Sequence, residues 1–343
     1  MWQSLLHRRF TLLWACSIFM GAAFPTALRA DPGASAATFL ELGFGARPLG
    51  LGEAFVAISD DVSALYYNPA GLALPASPGL SGGDGRKYEL LMSHALQIQD
   101  VALSQVGFVT RPFGVSLTSL RVNGIERRSS ETAEPEGKAG ASDMALAVSG
   151  ARQVAGFGFG ATARFIRSEL GGASANAFAM DFGVLRRLER FPVSVGAGVA
   201  NLGTKVRFLD EAFPLPLIVR LGAAAGMTRS FPHALSLQAD LPRDSGLILR
   251  LGAEYRGFGP FSLRAGFRTS TRAQRDAVLG KALGSTASGL SEFYGFFTGV
   301  GVRTRFGNLD YALIPFGELG QAHRVSFSFA FGGSGAKAAE ATP

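Results

Sequence analysis

The sequence predicts an all-β fold, a transmembrane antiparallel β-barrel of about 14 strands, from three observations. Segment after segment alternates with period two. One face of each segment is large and apolar, while the other holds Gly, Ser and Arg. The connections between segments sort by length, short on one side and long on the other. Beyond residue 30 no stretch reaches the roughly 18 consecutive apolar residues of a membrane-spanning helix, so strands must do any spanning.

Hydrophobic residues make up 47% and charged residues 17% of the 343 positions, against roughly 25% charged in an average soluble domain. That balance excludes a disordered chain and a highly charged nucleic-acid binder. The 45 glycines and 28 phenylalanines suit repeated strands better than a helical bundle. At the start, Arg8 and Arg9 precede an apolar run from Phe10 to Phe24, and Ala27-Leu28-Arg29-Ala30 ends on a small residue, so residues 1–30 read as a secretory signal peptide. Ala34-Ser35-Ala36 offers a later cleavage point. Removing the signal takes three arginines and lowers the formal charge from +7 to +4, too little and too scattered for nucleic acid as a partner. The single cysteine, Cys16, goes with it, leaving no disulfide or cysteine-based metal site, as suits an oxidising compartment.

Each strand is legible by parity. In Phe261 to Arg268 the odd positions are apolar and the even ones are Ser262, Arg264, Gly266 and Arg268. Leu247, Leu249, Leu251, Ala253 and Tyr255 oppose Ile248, Arg250, Gly252, Glu254 and Arg256. Val325, Phe327, Phe329 and Phe331 oppose Arg324, Ser326, Ser328 and Ala330. Candidate strands fall near 89–95, 99–109, 113–121, 143–152, 156–168, 176–188 and 192–200, then near 217–226, 234–240, 247–256, 261–268, 293–304, 308–314 and 323–331. Connections after even strands are mostly tight, as at Arg111-Pro112, Gln153 to Ala155, Gly257 to Pro260 and Arg305 to Gly307. Those after odd strands include Val122 to Ser142, Asn201 to Pro216 and Thr269 to Glu292, the long external loops of such a barrel. On the polar face, Arg164, Arg250, Arg264 and Arg268 are expected in a wet lumen, steering anions or pairing with Asp181, Glu254 or Asp310.

Residues 31–78 do not alternate. Asp60 or Asp61 can cap a short helix ending at Tyr67, in preference to binding a cation, and Asn68 before Pro69 is an N-cap with proline at the first helical position. Gly43, Gly45, Gly50 and Gly52 permit the close packing or positive φ of a compact insert.

The run Gly45-Ala46-Arg47 through Gly50-Leu51-Gly52-Glu53-Ala54-Phe55 to Asp60-Asp61 and Asn68-Pro69-Ala70-Gly71-Leu72 resembles the opening of PorV/PorQ-type outer-membrane proteins. More loosely it resembles the FadL-like (OmpP1/FadL/TodX) superfamily. Leu309 to Gly320 with His323-Arg324-Val325-Ser326 resembles the last hairpin of PorV/PorQ proteins, and Phe213-Pro214-Leu215-Pro216-Leu217 with Arg220-Leu221-Gly222 their middle. The resemblance implies residues 31–78 as a plug inside the barrel, then a barrel over 79–331 whose first residues, 79–88, are a linker. Residues 332–343 form a tail beyond Phe331, a departure from barrels that end on the aromatic. It implies a non-enzymatic protein of the Gram-negative outer membrane, in contact with its lipid and using no cofactor. The PorV/PorQ likeness implies docking of exported proteins and secretion-system components, as in type IX secretion. The FadL likeness implies uptake of long-chain fatty acids or other hydrophobic small molecules, with Phe44, Leu49, Leu51, Phe55 and Leu65 as candidate ligand-facing residues.

Enzyme signatures are weak. Gly79-Leu80-Ser81-Gly82-Gly83 matches G-x-S-x-G but lies among Pro, Ser and Gly, where a linker is expected and not a strand-to-helix elbow. Gly158 to Ala163 matches a loose dinucleotide pattern yet falls inside an alternating strand. His94, His233 and His323 have no neighbouring ligand in sequence, and no metal site is expected.

Overall fold

The computed structural model describes residues 35–74, 87–96, 101–127, 137–188, 191–208, 211–226, 233–269, 294–315 and 321–332. The signal peptide, the G-x-S-x-G match at 79–83, most of the 269–292 loop and nearly all of the tail lie outside them. The strands are β1 (Tyr88–Leu96), β2 (Val101–Thr110), β3 (Phe113–Arg127), β4 (Gly137–Val154), β5 (Phe157–Leu170), β6 (Ala173–Leu188), β7 (Val193–Gly203), β8 (Val206–Phe208) and β9 (Glu211–Phe213). They continue as β10 (Ile218–Gly226), β11 (Ala234–Pro242), β12 (Ile248–Phe258), β13 (Phe261–Arg268), β14 (Phe296–Arg303), β15 (Asn308–Pro315) and β16 (Gln321–Phe331).

All but β8 and β9 form one closed antiparallel barrel of fourteen strands, each paired with its neighbours in the chain and β1 with β16, from Tyr88 opposite Phe331 to Leu96 opposite His323. Closure removes the edges that hydrocarbon would leave unpaired. The small β8–β9 hairpin sits in the connection after β7, at the end of the barrel that carries the long loops.

Parity sorts the two faces as the alternation requires. Phe113, Val115, Leu117, Phe178, Met180, Phe182, Leu249, Leu251, Phe261 and Leu263 are exposed outward, while their chain neighbours Arg250, Glu254 and Arg264 are buried inward. An exposed apolar belt of this extent on every part of the wall is the surface that lipid, not water, covers.

The expected loop from Val122 to Ser142 is mostly strand. β3 runs on to Arg127 and β4 begins at Gly137, paired through Arg127 opposite Gly137 with a register shift between Val122 and Ile125. The sequence of this part lacks the apolar–polar alternation that marks a strand lying between lipid and lumen, while the backbone ladder continues through it. The Asn201 to Pro216 connection likewise contains the β8–β9 hairpin, and Gly158 to Ala163 lies within β5.

Residues 35–74 occupy the lumen as short helical turns at Thr38–Glu41, Ala46–Gly50, Ala64–Tyr67 and Pro69–Ala73 joined by tight turns. Leu51, Phe55, Val56, Ile58, Val62, Ala64 and Ala70 have at most 1% of their surface exposed, which places this segment at the centre of the molecule. The barrel accepts it because inward wall positions lack side chains where the plug backbone arrives. A Cβ on Gly160 would overlap the Pro69–Ala70 peptide, on Gly183 the Asn68 amide, and on Gly266 the Leu51–Gly52 peptide. Gly196, Gly222 and Gly252 meet Val56 or Leu51 at 2.5–2.6 Å from the position such a carbon would take, and Gly107 and Gly114 meet Val62 and Leu65 at 2.7 and 2.6 Å. These inward glycines are therefore a seat for the plug. A Gly160→Val substitution is expected to dislodge the Pro69–Ala73 turn, read as faster proteolysis of the plug in folded barrels. Gly140→Ala, whose added carbon stays 3.5 Å from Val122 O, should leave proteolysis unchanged.

Candidate functional site

The plug is held by side chains that cross to the wall. Arg47, on the helical turn Ala46–Gly50, is buried with 4% of its surface exposed. Its Nη1 donates to Asp60 Oδ1 at 2.7 Å and Asp61 Oδ2 at 2.5 Å, both in the plug. Nε and Nη2 donate to the two oxygens of Glu254 on β12 at 3.2 and 3.1 Å. The guanidinium also lies 5.1 Å from the centre of the Phe55 ring. Glu254 accepts in addition from Arg264 Nε at 2.7 Å and Arg256 Nη2 at 2.6 Å. Arg264 Nη1 stands 2.7 Å from Asp310 Oδ1, an ion pair outside hydrogen-bond alignment.

A second junction centres on Arg250, which donates to Glu53 Oε2 and Gly52 O of the plug and to Asp240 Oδ2 of β11, at 2.5, 3.1 and 2.6 Å. Gln238 donates to Asp240 and accepts from Phe55 N and Val56 N at 2.9 and 2.8 Å. A third lies at the short-turn end. Arg111 donates to Glu89 Oε1 on β1 and to the carbonyls of Asp60, Gly71 and Leu74, at 2.9, 3.0, 2.7 and 3.0 Å.

These contacts correct the expectation of a wet lumen for Arg164, Arg250 and Arg264. All three are buried, because the plug displaces the water and supplies carboxylates or leaves room for wall carboxylates to reach them. Arg164 pairs within the wall, with Asp181 Oδ2 at 2.6 Å and Asn201 Oδ1 at 2.8 Å, and Arg268 is half-buried with its guanidinium 5.5 Å from the Phe297 ring centre. The expected acidic partners serve Arg164, which pairs with Asp181, and Arg264, which pairs with Glu254 and Asp310, whereas Arg250 pairs with Glu53 and Asp240, neither of them among the expected partners.

Asp60 and Asp61 divide the capping role differently from expectation. The turn Ala64–Tyr67 begins after Ser63, whose own side chain caps nothing, and Asp61 Oδ1 accepts from Ser63 N at 2.8 Å to fix the approach. Asp60 caps no helix and faces Arg47 instead. Burial by itself would push its carboxyl up, but the adjacent Arg47 charge outweighs burial and holds it below its ordinary 3.8. Asn68 is the expected N-cap: Oδ1 accepts from Ala70 N at 3.1 Å, with Pro69 opening the turn. Its Nδ2 donates to Val56 O and to Val184 O of β6 at 2.9 and 3.0 Å, so one amide joins two plug turns and the wall. Gly45 and Gly52 have positive φ, and Gly50 packs against Gly299, its Cα 3.0 Å from where a Cβ on Gly299 would sit. Gly71 meets Ser59 O at close range.

The candidate ligand-facing residues separate. Phe44 and Leu65 line a small space with Phe39, Leu40, Tyr66, Gln105, Thr118 and Arg164, about 10 Å³ in volume, room for one water. Leu49 instead packs on Phe297, Ala312 and Ile314, and Leu51 and Phe55 belong to the central cluster with Ile58 and Val62. Sequence reasoning missed Glu53, Gln105, Arg111, Gln238 and Arg324 as plug contacts; for the wall residues, a bulky polar side chain at an inward-parity position was the available signal.

The fold is that of a known structure. The Pseudomonas putida toluene transporter TodX superimposes with a TM-score of 0.50 at 13% identity, over 83% of this chain and 96% of TodX. The KdgM porin matches more distantly, with a TM-score of 0.34 at 8% identity over 71% of this chain and 99% of its own. CdiB from Acinetobacter baumannii matches with a TM-score of 0.36 at 8% identity, over 72% of this chain and 60% of CdiB. No protein-family model matches the sequence, and comparison with curated proteins finds no match.

Arg47→Met leaves Asp60, Asp61 and part of the Glu254 charge buried without their cation, and should lower stability by about 3–5 kcal/mol in urea titrations of the folded barrel. Because the Asp60 pKa is depressed in the folded state, its contribution is complete above the unfolded value of 3.8 and is lost as pH falls through the lower folded value. Protease access to the plug should accordingly rise only below about pH 3.8, and Asp60→Asn should flatten that rise.

Proposed function

We propose that this chain is an outer-membrane β-barrel of FadL type, non-enzymatic, that admits hydrophobic small molecules, long-chain fatty acids among them, by rearrangement of its plug. The observation that carries the proposal is the architecture shared with a toluene transporter along most of both chains, a closed barrel with an amino-terminal plug in its lumen. The manner of attachment supports it. The plug is held by charge-assisted hydrogen bonds and backbone contact, all of which can break and re-form, and its apolar residues would line the passage once it shifts. Location in the outer membrane is supported by the apolar belt, by the short-turn and long-loop asymmetry and by the signal sequence expected at 1–30.

A second reading, PorV/PorQ-type docking of exported proteins and secretion-system components at the cell surface, is favoured by one observation. β3 to β6 project beyond the apolar belt with outward polar residues Arg121, Ser142, Arg167, Glu169 and Ser174, a surface fit for proteins and not for lipid capture. A deletion strain compared with its parent separates the two. Lost uptake of a labelled long-chain fatty acid with an unchanged set of surface and secreted proteins is the expected result. Intact uptake with exported proteins retained in the periplasm would establish docking in its place.

A further inference from the structure

Arg324 is the exception among the lumen arginines that hold the plug. It lies on β16 with 1% of its surface exposed, deeper than Arg47 or Arg250. Arg47, Arg111, Arg164, Arg250 and Arg264 each pair with a carboxylate. Arg220, also without one, stacks its guanidinium 5.2 Å from the Tyr66 ring centre. Among the described residues Arg324 has neither compensation. Its Nη1 donates to Gln105 Oε1 at 2.8 Å, its Nη2 to Leu42 O at 3.1 Å, and its Nε has no partner. Amide and peptide oxygens orient their dipoles at a cation but bring no countercharge, and a guanidinium sunk this far without one is costly.

We infer that Arg324, with Gln105, is the binding site for the oxyanion headgroup of an amphiphile, and that the Leu42 and Gly43 carbonyls hold its place in the closed state. The inference rests on the channel reading above and names the ligand chemistry for it. The guanidinium fork matches two oxygens of one carboxylate in the plane now shared by Gln105 Oε1 and Leu42 O. Beyond the head the walls are mixed: Gln105 lines the small space with Phe39, Leu40, Phe44, Leu65 and Tyr66 on its apolar side, while Ser116, Thr118 and Arg164, already paired with Asp181, form its polar side. That space has about 10 Å³ now, so a chain enters only as segment 39–44 withdraws. Withdrawal is the same movement that takes Leu42 O off Arg324. Head and tail thus compete for one segment, the head by replacing its carbonyls and the tail by replacing its side chains.

Full-length protein in amphipol, titrated at pH 8 with decanoate and with decanol, tests this. Decanoate should bind about tenfold or more tighter than decanol, and Arg324→Gln should remove most of that preference while leaving decanol binding unchanged. Gln105→Leu, a second variant should Arg324→Gln fail to fold, is expected to weaken decanoate alone. Equal binding of the two ligands by the unaltered protein, or a preference that survives Arg324→Gln, overturns the headgroup site and leaves the channel reading standing. Binding of neither ligand overturns both.

Discussion

Of the guanidinium groups that join the plug to the wall, Arg47 gathers the most carboxylates, and the interior is arranged around its charge. Arg47 has no water to turn to, so it requires carboxylates, and it draws them from both parts of the chain: Asp60 and Asp61 from the plug, Glu254 from β12. Glu254 in turn serves Arg256 and Arg264, and Arg264 reaches Asp310 on β15. Desolvating so many charges offsets much of their mutual attraction, so the network contributes less to stability than its length suggests. Its effect is on specificity. A plug rotated or shifted by one residue would strand several buried charges together, and that penalty selects a single seating.

The seat itself is made by omission. Strand-interior glycine gives up side-chain packing and backbone order, which ordinarily weakens a sheet. Here several inward glycines let a plug peptide reach the wall backbone, as Gly160 does for Pro69 and Gly266 for Gly52. Dispersion across such contacts, summed around the barrel, replaces what side chains would supply. Closure of the barrel supplies the remaining compensation, since a strand paired on both sides tolerates glycine better than an edge would. Charge fixes where the plug sits and glycine fixes how closely.

The barrel was legible because its signal is local. Parity along Phe261–Arg268 places Leu263 outside and Arg264 inside without any knowledge of neighbours. The Asn68-Pro69 cap is local too, and it forms as read. What stayed hidden is pairwise and distant. Nothing near Arg47 in sequence points to Glu254, and an arginine at inward parity looks the same whether water or a plug lies beyond it. Asp60 was legible as an acidic residue at a turn, yet its partner, and hence its role, depended on the path of the chain between Arg47 and Asp60. The upper reaches of β3 and β4 were hidden for a different reason, since alternation reports a boundary between lipid and lumen and their residues do not alternate.

The attachments are unequal along the plug, and the inequality sets where movement begins. Residues 46–74 are fixed by full charges and by backbone against glycine, with Arg111 gripping Gly71 and Leu74 at the short-turn end. Among the described residues, 39–44 are held without an ion pair: by neutral hydrogen bonds from Tyr66 Oη to Leu40 O at 2.7 Å, Gln105 Nε2 to Gly43 O at 2.6 Å and Phe44 N to Tyr67 Oη at 3.2 Å, and by one charge-assisted bond from Arg324 to Leu42 O. Phe39 and Leu40 pack on Val206 and Leu215, from the long connection that carries the β8–β9 hairpin, so this segment faces the long-loop end. Hydrogen bonds between neutral partners exchange with water at small net expense, whereas separating Arg47 from its carboxylates does not. The plug therefore has a tethered inner part and a more weakly held outer part, so on the channel reading proposed above a passage would begin at the long-loop end without the ion-pair hub coming apart.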